Sequence, residues 1–326
     1  MWTDLFSTRR RFSDPYKENP WWNHSAVSKF ILLGFQDLHS FRIPFFCLLL
    51  EVYIVTMIGN VLIILLICKS HLFRFPMYFF LIHLSICELM FVTNIVPNML
   101  NVTLNGGSLI SVPECFTQFY IFGSCTACEC YLLSVMSYDR YLAICNPLRY
   151  NAIMNLKLCL HLAAWSWSLG FFFVLITLVL LCKLEFCEFK VIDHFYCDLS
   201  PILALSCSNT FYVEMETFLL TIVIVLLPFV FVIVTYICIC VTILGISTAS
   251  GRQKAFSTCS SHLAVVCSYY GSLISIYLTP SGGHNLNVNK ALSLLYTVIT
   301  PLFNPIIYSL RNQEIRKAFF RYSKRK

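Results

Sequence analysis

The chain has 326 residues, of which 58% are hydrophobic and only 12% are charged, whereas a soluble domain has about a quarter of its residues charged. One soluble core of this length cannot bury so much apolar surface, so the composition excludes an ordinary water-soluble protein and indicates a membrane protein. The net charge of +7 does not indicate a nucleic-acid partner, because the basic residues lie between or after the apolar runs, where a membrane surface begins.

Seven apolar runs each approach or exceed the roughly 20 residues that a membrane-spanning helix needs. The runs are continuous and not alternating, so they predict helices and not the strands of a barrel. We therefore predict an all-α membrane protein, a seven-transmembrane helix bundle over 43–310, with an N-terminal tail over 1–42 and a tail over 311–326 that forms a short amphipathic helix. The predicted spans are about 43–68, 78–99, 116–138, 158–181, 213–245, 256–279 and 291–310.

The basic residues predict the orientation of the bundle. Lys and Arg are frequent in the loops after the first, third and fifth spans and in the C-terminal tail, whereas the opposite loops hold only Lys183, Lys190 and Lys290. The positive-inside rule then places the C-terminus in the cytoplasm. The N-terminal segment is also basic, but the rule weakens for longer tails, and Asn23 begins an Asn-His-Ser glycosylation acceptor that works only on the lumenal side. We predict a multi-pass plasma-membrane protein with an extracellular N-terminus.

Most of the 17 cysteines lie inside the apolar runs, where a thiol behaves as a small hydrophobe. The sequence also holds cysteines in polar segments, and these are candidates for disulfides in an oxidising compartment. Four such residues allow three pairings: Cys115, Cys187, Cys197 and Cys207. His194 with Cys197 offers only two ligands, which is too few for a metal site.

Several longer sequence motifs lie in the predicted spans or next to them. Together they resemble the olfactory receptors, a family of rhodopsin-like G-protein-coupled receptors, from about Lys29 to the C-terminus. The N-terminal tail is longer than in that family, and Asn146, Tyr269 and Phe303 replace commoner residues. The motifs are FILLGF at 30–35, GN at 59–60, PMYFFL at 76–81, MSYDRYLAICNPLRY at 136–150, KAFSTCSSHL at 254–263 and PLFNPIIYSLRN at 301–312.

The resemblance implies which residues couple the receptor to a G protein. In the family, the arginine of the Asp-Arg-Tyr motif meets the G protein once the sixth span swings outward. A proline inside a helix removes a backbone hydrogen bond and permits a kink, which suits a helix with two arrangements. The implied coupling and activation residues are Asp139, Arg140, Tyr141, Tyr236, Asn304, Pro305 and Tyr308.

Glu88 and Glu129 are acids inside the second and third spans, and an intramembrane carboxylate indicates a functional site. Two nearby carboxylates either share a proton or hold a cation. The resemblance implies a sodium site with Asn60 and Asn304 as polar neighbours; the alternative is a neutral, hydrogen-bonded acid without an ion.

The resemblance favours a disulfide between Cys115 and Cys197 together with one between Cys187 and Cys207. The runner-up is Cys115 with Cys207. Either tether would hold the loop after the fourth span as a lid over the bundle.

The expected ligand pocket is apolar with one or two hydroxyls, which suits a small volatile molecule. Counting back from Arg140 gives one inward face of the third span, and residues three and four apart share a face of the sixth. The alternative for each residue is simple helix packing. The pocket residues are Phe122, Gly123, Thr126 and Ala127 on the third span, Leu220 and Thr221 on the fifth, and Tyr270, Leu273 and Tyr277 on the sixth.

The resemblance implies an odorant receptor that binds small volatile molecules, activates a stimulatory, olfactory-type G protein and raises cyclic AMP. The implied location is the cilia of olfactory neurons. The alternatives are a non-olfactory chemosensory receptor or a seven-helix transporter. A retinal protein needs a lysine deep in the seventh span, whereas Lys290 lies at its edge. No hydrolase or phosphate-loop motif occurs, so we expect neither an enzyme nor a catalytic residue, and no cofactor beyond the sodium ion.

Overall fold

The structure is a computed structural model that describes residues 28–186, 191–278, 286–311 and 313–323. Seven spans form a helical bundle, which confirms the predicted fold class. They are α1 (Arg42–Lys69), α2 (Pro76–Asn105), α3 (Val112–Cys145), α5 (Leu156–Leu181), a fifth span made of α7 (Phe211–Thr221) and α8 (Leu227–Leu244), α9 (Ala249–Leu278), and a seventh span made of α10 (Leu286–Leu294) and α11 (Thr300–Arg311). Short helices α4 (Pro147–Ile153) and α6 (Leu199–Ala204) lie in loops, and α12 (Gln313–Ser323) follows the seventh span.

Six of the described helical segments are both long and apolar enough to cross a membrane. The remaining span, α9, has 30 residues and is long enough to cross a membrane. The second and third helices extend beyond the predicted spans, because their ends depend on capping and not on hydropathy. Gly106 ends α2 with a φ of +71°. The Ser111 hydroxyl accepts from the Glu114 amide at the start of α3, and the Glu114 carboxylate accepts in return from the Ser111 amide at 2.9 Å.

The third helix occupies the centre of the bundle, where it packs against α2, α5, α8 and α9. Small residues let the helices approach closely. A Cβ atom added to Gly170 of α5 would lie 2.5 Å from the sulfur of Cys128, and one added to Gly123 of α3 would lie 2.9 Å from a methyl of Val174. Larger side chains at either glycine would force the third and fourth spans apart.

Two spans contain a turn of π-helix. The fifth span runs from α7 (Phe211–Thr221) through the π-turn Ile222–Leu226 into α8 (Leu227–Leu244), with Pro228 in the first turn of α8. The seventh runs from α10 (Leu286–Leu294) through the π-turn Leu295–Ile299 into α11 (Thr300–Arg311), which contains Pro305. Such turns interrupt the regular hydrogen-bond ladder, so both spans contain the irregularity that the prolines predict.

A small three-stranded sheet covers one end of the bundle, which we call the sheet end. Its strands are β1 (Lys29–Leu32), β2 (Ser108–Ser111) and β3 (Val191–Ile192), in the order β2-β1-β3. The first strand is antiparallel to β2 and parallel to β3. Phe30 and Leu32 are fully buried, so the segment before the first span closes this end of the bundle.

The opposite end, which we call the Asp-Arg-Tyr end, carries the helix that follows the seventh span. In α12, Ile315 and Ala318 are buried while Arg316, Lys317 and Arg321 are exposed. This alternation confirms the predicted amphipathic helix. The helix packs against α1 and α11.

Candidate functional site

A buried charge cluster lies at the Asp-Arg-Tyr end. Arg140 forms an ion pair with Asp139, in which the guanidinium Nε donates to the carboxylate at 3.0 Å. The Tyr150 hydroxyl of α4 donates to the other oxygen of Asp139 at 2.7 Å. Asp139 is fully buried and Arg140 is 7% exposed, so the arginine is covered in this arrangement. Burial beside the Asp139 carboxylate raises the pKa of the Tyr150 phenol, which therefore stays protonated and able to donate.

A second contact at this end joins the fifth and sixth spans. The Tyr236 hydroxyl and Nδ1 of His262 are 2.6 Å apart, and their rings are stacked with centroids 5.9 Å apart. Thr235 donates to Ser137 at 3.3 Å and so joins the fifth span to the third. Movement of the sixth span away from the bundle would have to break the contact between Tyr236 and His262.

The predicted coupling residues Tyr308 and Tyr141 differ in their surroundings. Tyr308 of α11 is fully buried, and its hydroxyl has no hydrogen-bond partner among the described residues. Tyr141 is partly exposed and stacks on Tyr138 at 6.4 Å, apart from the ion pair. Tyr150 and His262 were absent from the predicted set, although both belong to motifs that the sequence analysis quoted.

A polar cluster lies inside the bundle between the two ends. Asn304 donates its amide to Glu88, and Asn60 lies close enough to interact with the same carboxylate. Glu129 of the third span is also buried and interacts electrostatically with Glu88. The amide of Asn60 additionally donates to the Thr56 carbonyl at 3.2 Å. The structure thus brings together all four residues predicted for the ion site.

Three oxygen atoms of this cluster accept no hydrogen bond from the described residues: one each on Glu88, Glu129 and Asn304. They are buried carboxylate and amide oxygens, which are the donors that hard cations prefer. Among the described residues, no group of three or more His, Cys, Asp or Glu side chains could hold a metal ion. The cluster offers carboxylate oxygens of Glu88 and Glu129 and an amide oxygen of Asn304.

The predicted ligand pocket is a cluster of aromatic rings and hydroxyls between the sheet end and Glu129. The Thr126 hydroxyl lies 2.8 Å from the Tyr296 hydroxyl, and Tyr269 donates to the Thr126 carbonyl at 2.8 Å. The Phe122 ring lies 5.0 Å from that of Tyr196 in the loop and 6.2 Å from Tyr296. The third, sixth and seventh spans and the loop therefore meet at Phe122 and Thr126.

The other residues predicted to line the ligand pocket lie in different surroundings. Tyr270 packs against Phe229 at 4.8 Å, and its buried hydroxyl lacks a well-formed hydrogen bond to a described residue. Gly123 faces Val174 of the fourth span, so its small size serves helix packing there. Ala127 and Leu273 are buried, Leu220 and Thr221 are partly buried, and the Tyr277 side chain lies outside the described residues.

A disulfide joins the third span to the loop that covers the sheet end. Cys115 and Cys197 are bonded, with Cα atoms 5.4 Å apart, so the structure has the favoured partner for Cys115. The Cys197 amide donates to the Gln118 side chain at 2.9 Å. Cys207 also takes part in a disulfide, while Cys187 and Asn23 lie outside the described residues.

Lys290 ties the seventh span to the same cover. Its ammonium donates to the Gly34 carbonyl at 2.8 Å and to Asp193 at 2.5 Å. The neighbouring His194 is buried, and burial together with the charge of Lys290 lowers its pKa to about 3. His194 is therefore a neutral ring in the folded protein. The N-terminal strand, the loop and the seventh span form one tethered cover over the bundle.

Comparison with known proteins gives the family. A family model described as "Olfactory receptor" matches residues 46–326. The chain belongs to the olfactory receptor family. Human olfactory receptor 11L1 is 43% identical over 304 residues, which cover 93% of this chain and 94% of that protein. Rat olfactory receptor 287 is also 43% identical, over 93% of this chain and 98% of its own length.

Membership in the family makes the chain an odorant-sensing G-protein-coupled receptor and a multi-pass membrane protein. Olfactory receptors are not enzymes, and their general partners are odorants and G proteins. The cluster around Arg140 and the cluster around Thr126 are therefore the candidate transducer and ligand sites of an olfactory receptor.

Proposed function

We propose that this olfactory receptor binds a small, mainly apolar odorant inside the bundle and activates a stimulatory, olfactory-type G protein that raises cyclic AMP. The observation that carries the proposal is the buried ion pair of Arg140 with Asp139, held from the loop by Tyr150. An ion pair that is covered in one arrangement and uncovered in another forms a switch at the G-protein surface.

The orientation of the bundle is part of this proposal, and the chemistry of the two ends supports it. The disulfide between Cys115 and Cys197 lies at the sheet end, and disulfides persist in oxidising compartments. The Asp-Arg-Tyr end carries the basic helix α12, as the positive-inside rule requires of a cytoplasmic face. In this proposal the sheet end is extracellular, the C-terminus is cytoplasmic, and the receptor acts at the plasma membrane of olfactory cilia.

The odorant is proposed to lie against Phe122 and Thr126, below the tethered cover. Thr126 is one helical turn from Glu129, so a ligand there would lie between the tethered cover and the polar cluster. The buried hydroxyls of Tyr270 and Tyr296 offer polar partners in an otherwise apolar setting. This composition favours a hydrocarbon body with one oxygen function.

A sodium ion is proposed to bind the free oxygens of Glu88, Glu129 and Asn304. The ion would neutralise one carboxylate and hold the second, third and seventh spans together. Because the same oxygens would separate if the seventh span shifted, the ion would favour the arrangement in which Arg140 is covered, which we call the closed arrangement. Sodium should therefore lower basal activity, and Glu129→Gln should remove that effect.

Nucleotide exchange on a purified G protein tests the proposal directly. The full-length receptor, reconstituted with a stimulatory G protein, should accelerate GTP loading when an active odorant is added. A transporter or a structural membrane protein would leave the exchange rate unchanged. Parallel reactions with an inhibitory G protein distinguish the proposed subunit class: faster exchange on that protein alone would contradict stimulatory coupling.

A further inference from the structure

An apolar groove lies on the outer surface of the bundle at the Asp-Arg-Tyr end, away from the proposed odorant and ion sites. Its volume is about 360 Å³, and α1, α11 and α12 form its walls. Pro305 of α11 lies at its floor against Gly59 of α1, where an added Cβ would approach the proline ring to 3.0 Å. The absence of a side chain at Gly59 therefore lets the two helices meet at the bottom of the groove.

The rim of the groove faces the surroundings of the bundle. Val55 is 46% exposed and Leu62 is 37% exposed on the α1 wall, while Phe319 and Phe320 of α12 are 45% and 53% exposed. In a membrane this surface meets lipid and not water. The groove is thus open to a chain molecule that lies in the bilayer.

The dimensions of the groove match one leaflet. Its α1 wall runs from Val55 to Leu66, which at about 1.5 Å per residue is roughly 16 Å. The hydrocarbon of one leaflet is about 15 Å thick, half of a bilayer core. An acyl chain that begins at the membrane surface can therefore follow the groove over its whole length.

Among the described residues that line the groove, only Arg316 has a charged or polar side chain. No described residue forms an ion pair or a hydrogen bond with its guanidinium. Its neighbour Lys317, by contrast, pairs with Glu314 at 2.8 Å. A guanidinium at the mouth of an apolar groove attracts an anionic partner, and its planar fork suits the paired oxygens of a phosphate.

We propose that this groove binds one anionic phospholipid, with an acyl chain along α1 and the headgroup phosphate on Arg316. The orientation proposed above makes the surrounding leaflet the cytoplasmic one, which is rich in anionic lipids. A sterol offers one neutral hydroxyl and would leave the charge of Arg316 unmatched. The bound lipid would fix α12 against the first and seventh spans.

The test is native mass spectrometry of the full-length receptor in detergent, titrated with phosphatidylserine or with phosphatidylcholine of the same acyl chains. One phosphatidylserine should be retained per chain in preference to phosphatidylcholine. Arg316→Gln should weaken phosphatidylserine retention by about five-fold, the factor expected for one basic residue at a membrane surface. Lys317→Gln removes the same charge one residue away and outside the groove, and it should leave retention unchanged.

A second pair of variants tests the acyl-chain part of the site. Val55→Trp fills the far end of the groove and should reduce retention of both lipids. Ile58→Trp adds the same ring on a 61% exposed position outside the groove and should have no effect. Circular dichroism and elution volume confirm that each variant is folded.

Three results would overturn the proposal: equal losses in Arg316→Gln and Lys317→Gln, full retention in Val55→Trp, or displacement of phosphatidylserine by cholesterol. Retention that appears only in dimeric species would assign the groove to a second copy of the chain and would also overturn it. The readout involves neither odorant nor G protein, so failure of the proposed signalling leaves this test intact.

Discussion

Removing the Tyr150 hydroxyl should raise the basal activity of the receptor. In the structure this hydroxyl donates to Asp139 at 2.7 Å, and the same carboxylate holds Arg140. A hydrogen bond to a charged group contributes about 1.5 to 3 kcal/mol. If Tyr150→Phe removes about 1.4 kcal/mol from the closed arrangement alone, the ratio of open to closed receptors rises about ten-fold.

The assay is basal cyclic AMP in cells, plotted against receptor density from surface staining. Tyr150→Phe should increase the slope of that plot by several-fold without odorant. Tyr138→Phe is the matched control, because it makes the same chemical change on a ring that stacks with Tyr141 and lies outside the ion pair. A slope for Tyr150→Phe at or below that of the unaltered receptor would refute the locking role, and so would an equal rise in Tyr138→Phe.

Three further predictions concern the cover, its histidine and the pocket. Cys115→Ser removes a cross-link over 82 residues, and the chain-entropy model gives such a cross-link a stabilisation of about 4.5 kcal/mol. Flow cytometry should therefore show loss of the receptor from the cell surface, and normal surface delivery would mean that the disulfide is dispensable. The pKa of His194 is about 3 in the folded protein, below its unfolded value of about 6.5. The free energy of unfolding should therefore fall as pH drops through 6.5, and at pH 5 it should be about 2 kcal/mol lower than at neutral pH. His194→Phe should flatten this dependence in thermal unfolding between pH 7.5 and 5, and an unchanged slope would contradict the assignment. Thr126→Val removes the 2.8 Å contact with Tyr296 and should raise the half-maximal concentration of hydroxyl-bearing odorants about five-fold, the equivalent of about 1 kcal/mol, with a smaller effect on hydrocarbons.

The sequence was sufficient to predict the seven helices, because hydropathy and the length of a span determine where a chain crosses lipid. It did not predict the sheet. The strands have two to four residues and pair Lys29 with Ser111 and Ile31 with Val191, far apart in the chain. Such short segments carry no periodic signal, and only the assembled bundle brings them together. The helix ends also extend past the apolar runs where caps such as Ser111 stabilise them.

The candidate sites were predicted in part. Residues in one span, such as Phe122 and Thr126, follow from helical spacing. Contacts between spans do not, because the rotation of each helix is fixed by packing against its neighbours. Tyr296 lies 170 residues from Thr126 in sequence, and His262 lies 26 from Tyr236, so neither partner could be found from the spacing.

The most direct test of the account measures cyclic AMP in cells that express the full-length receptor or Arg140→Ala at equal surface density, across a broad odorant panel. The account predicts that at least one odorant raises cyclic AMP through the unaltered receptor and that Arg140→Ala abolishes this response while surface staining is preserved. A response of equal size in Arg140→Ala would contradict the assignment of the buried ion pair as the switch that reaches the G protein.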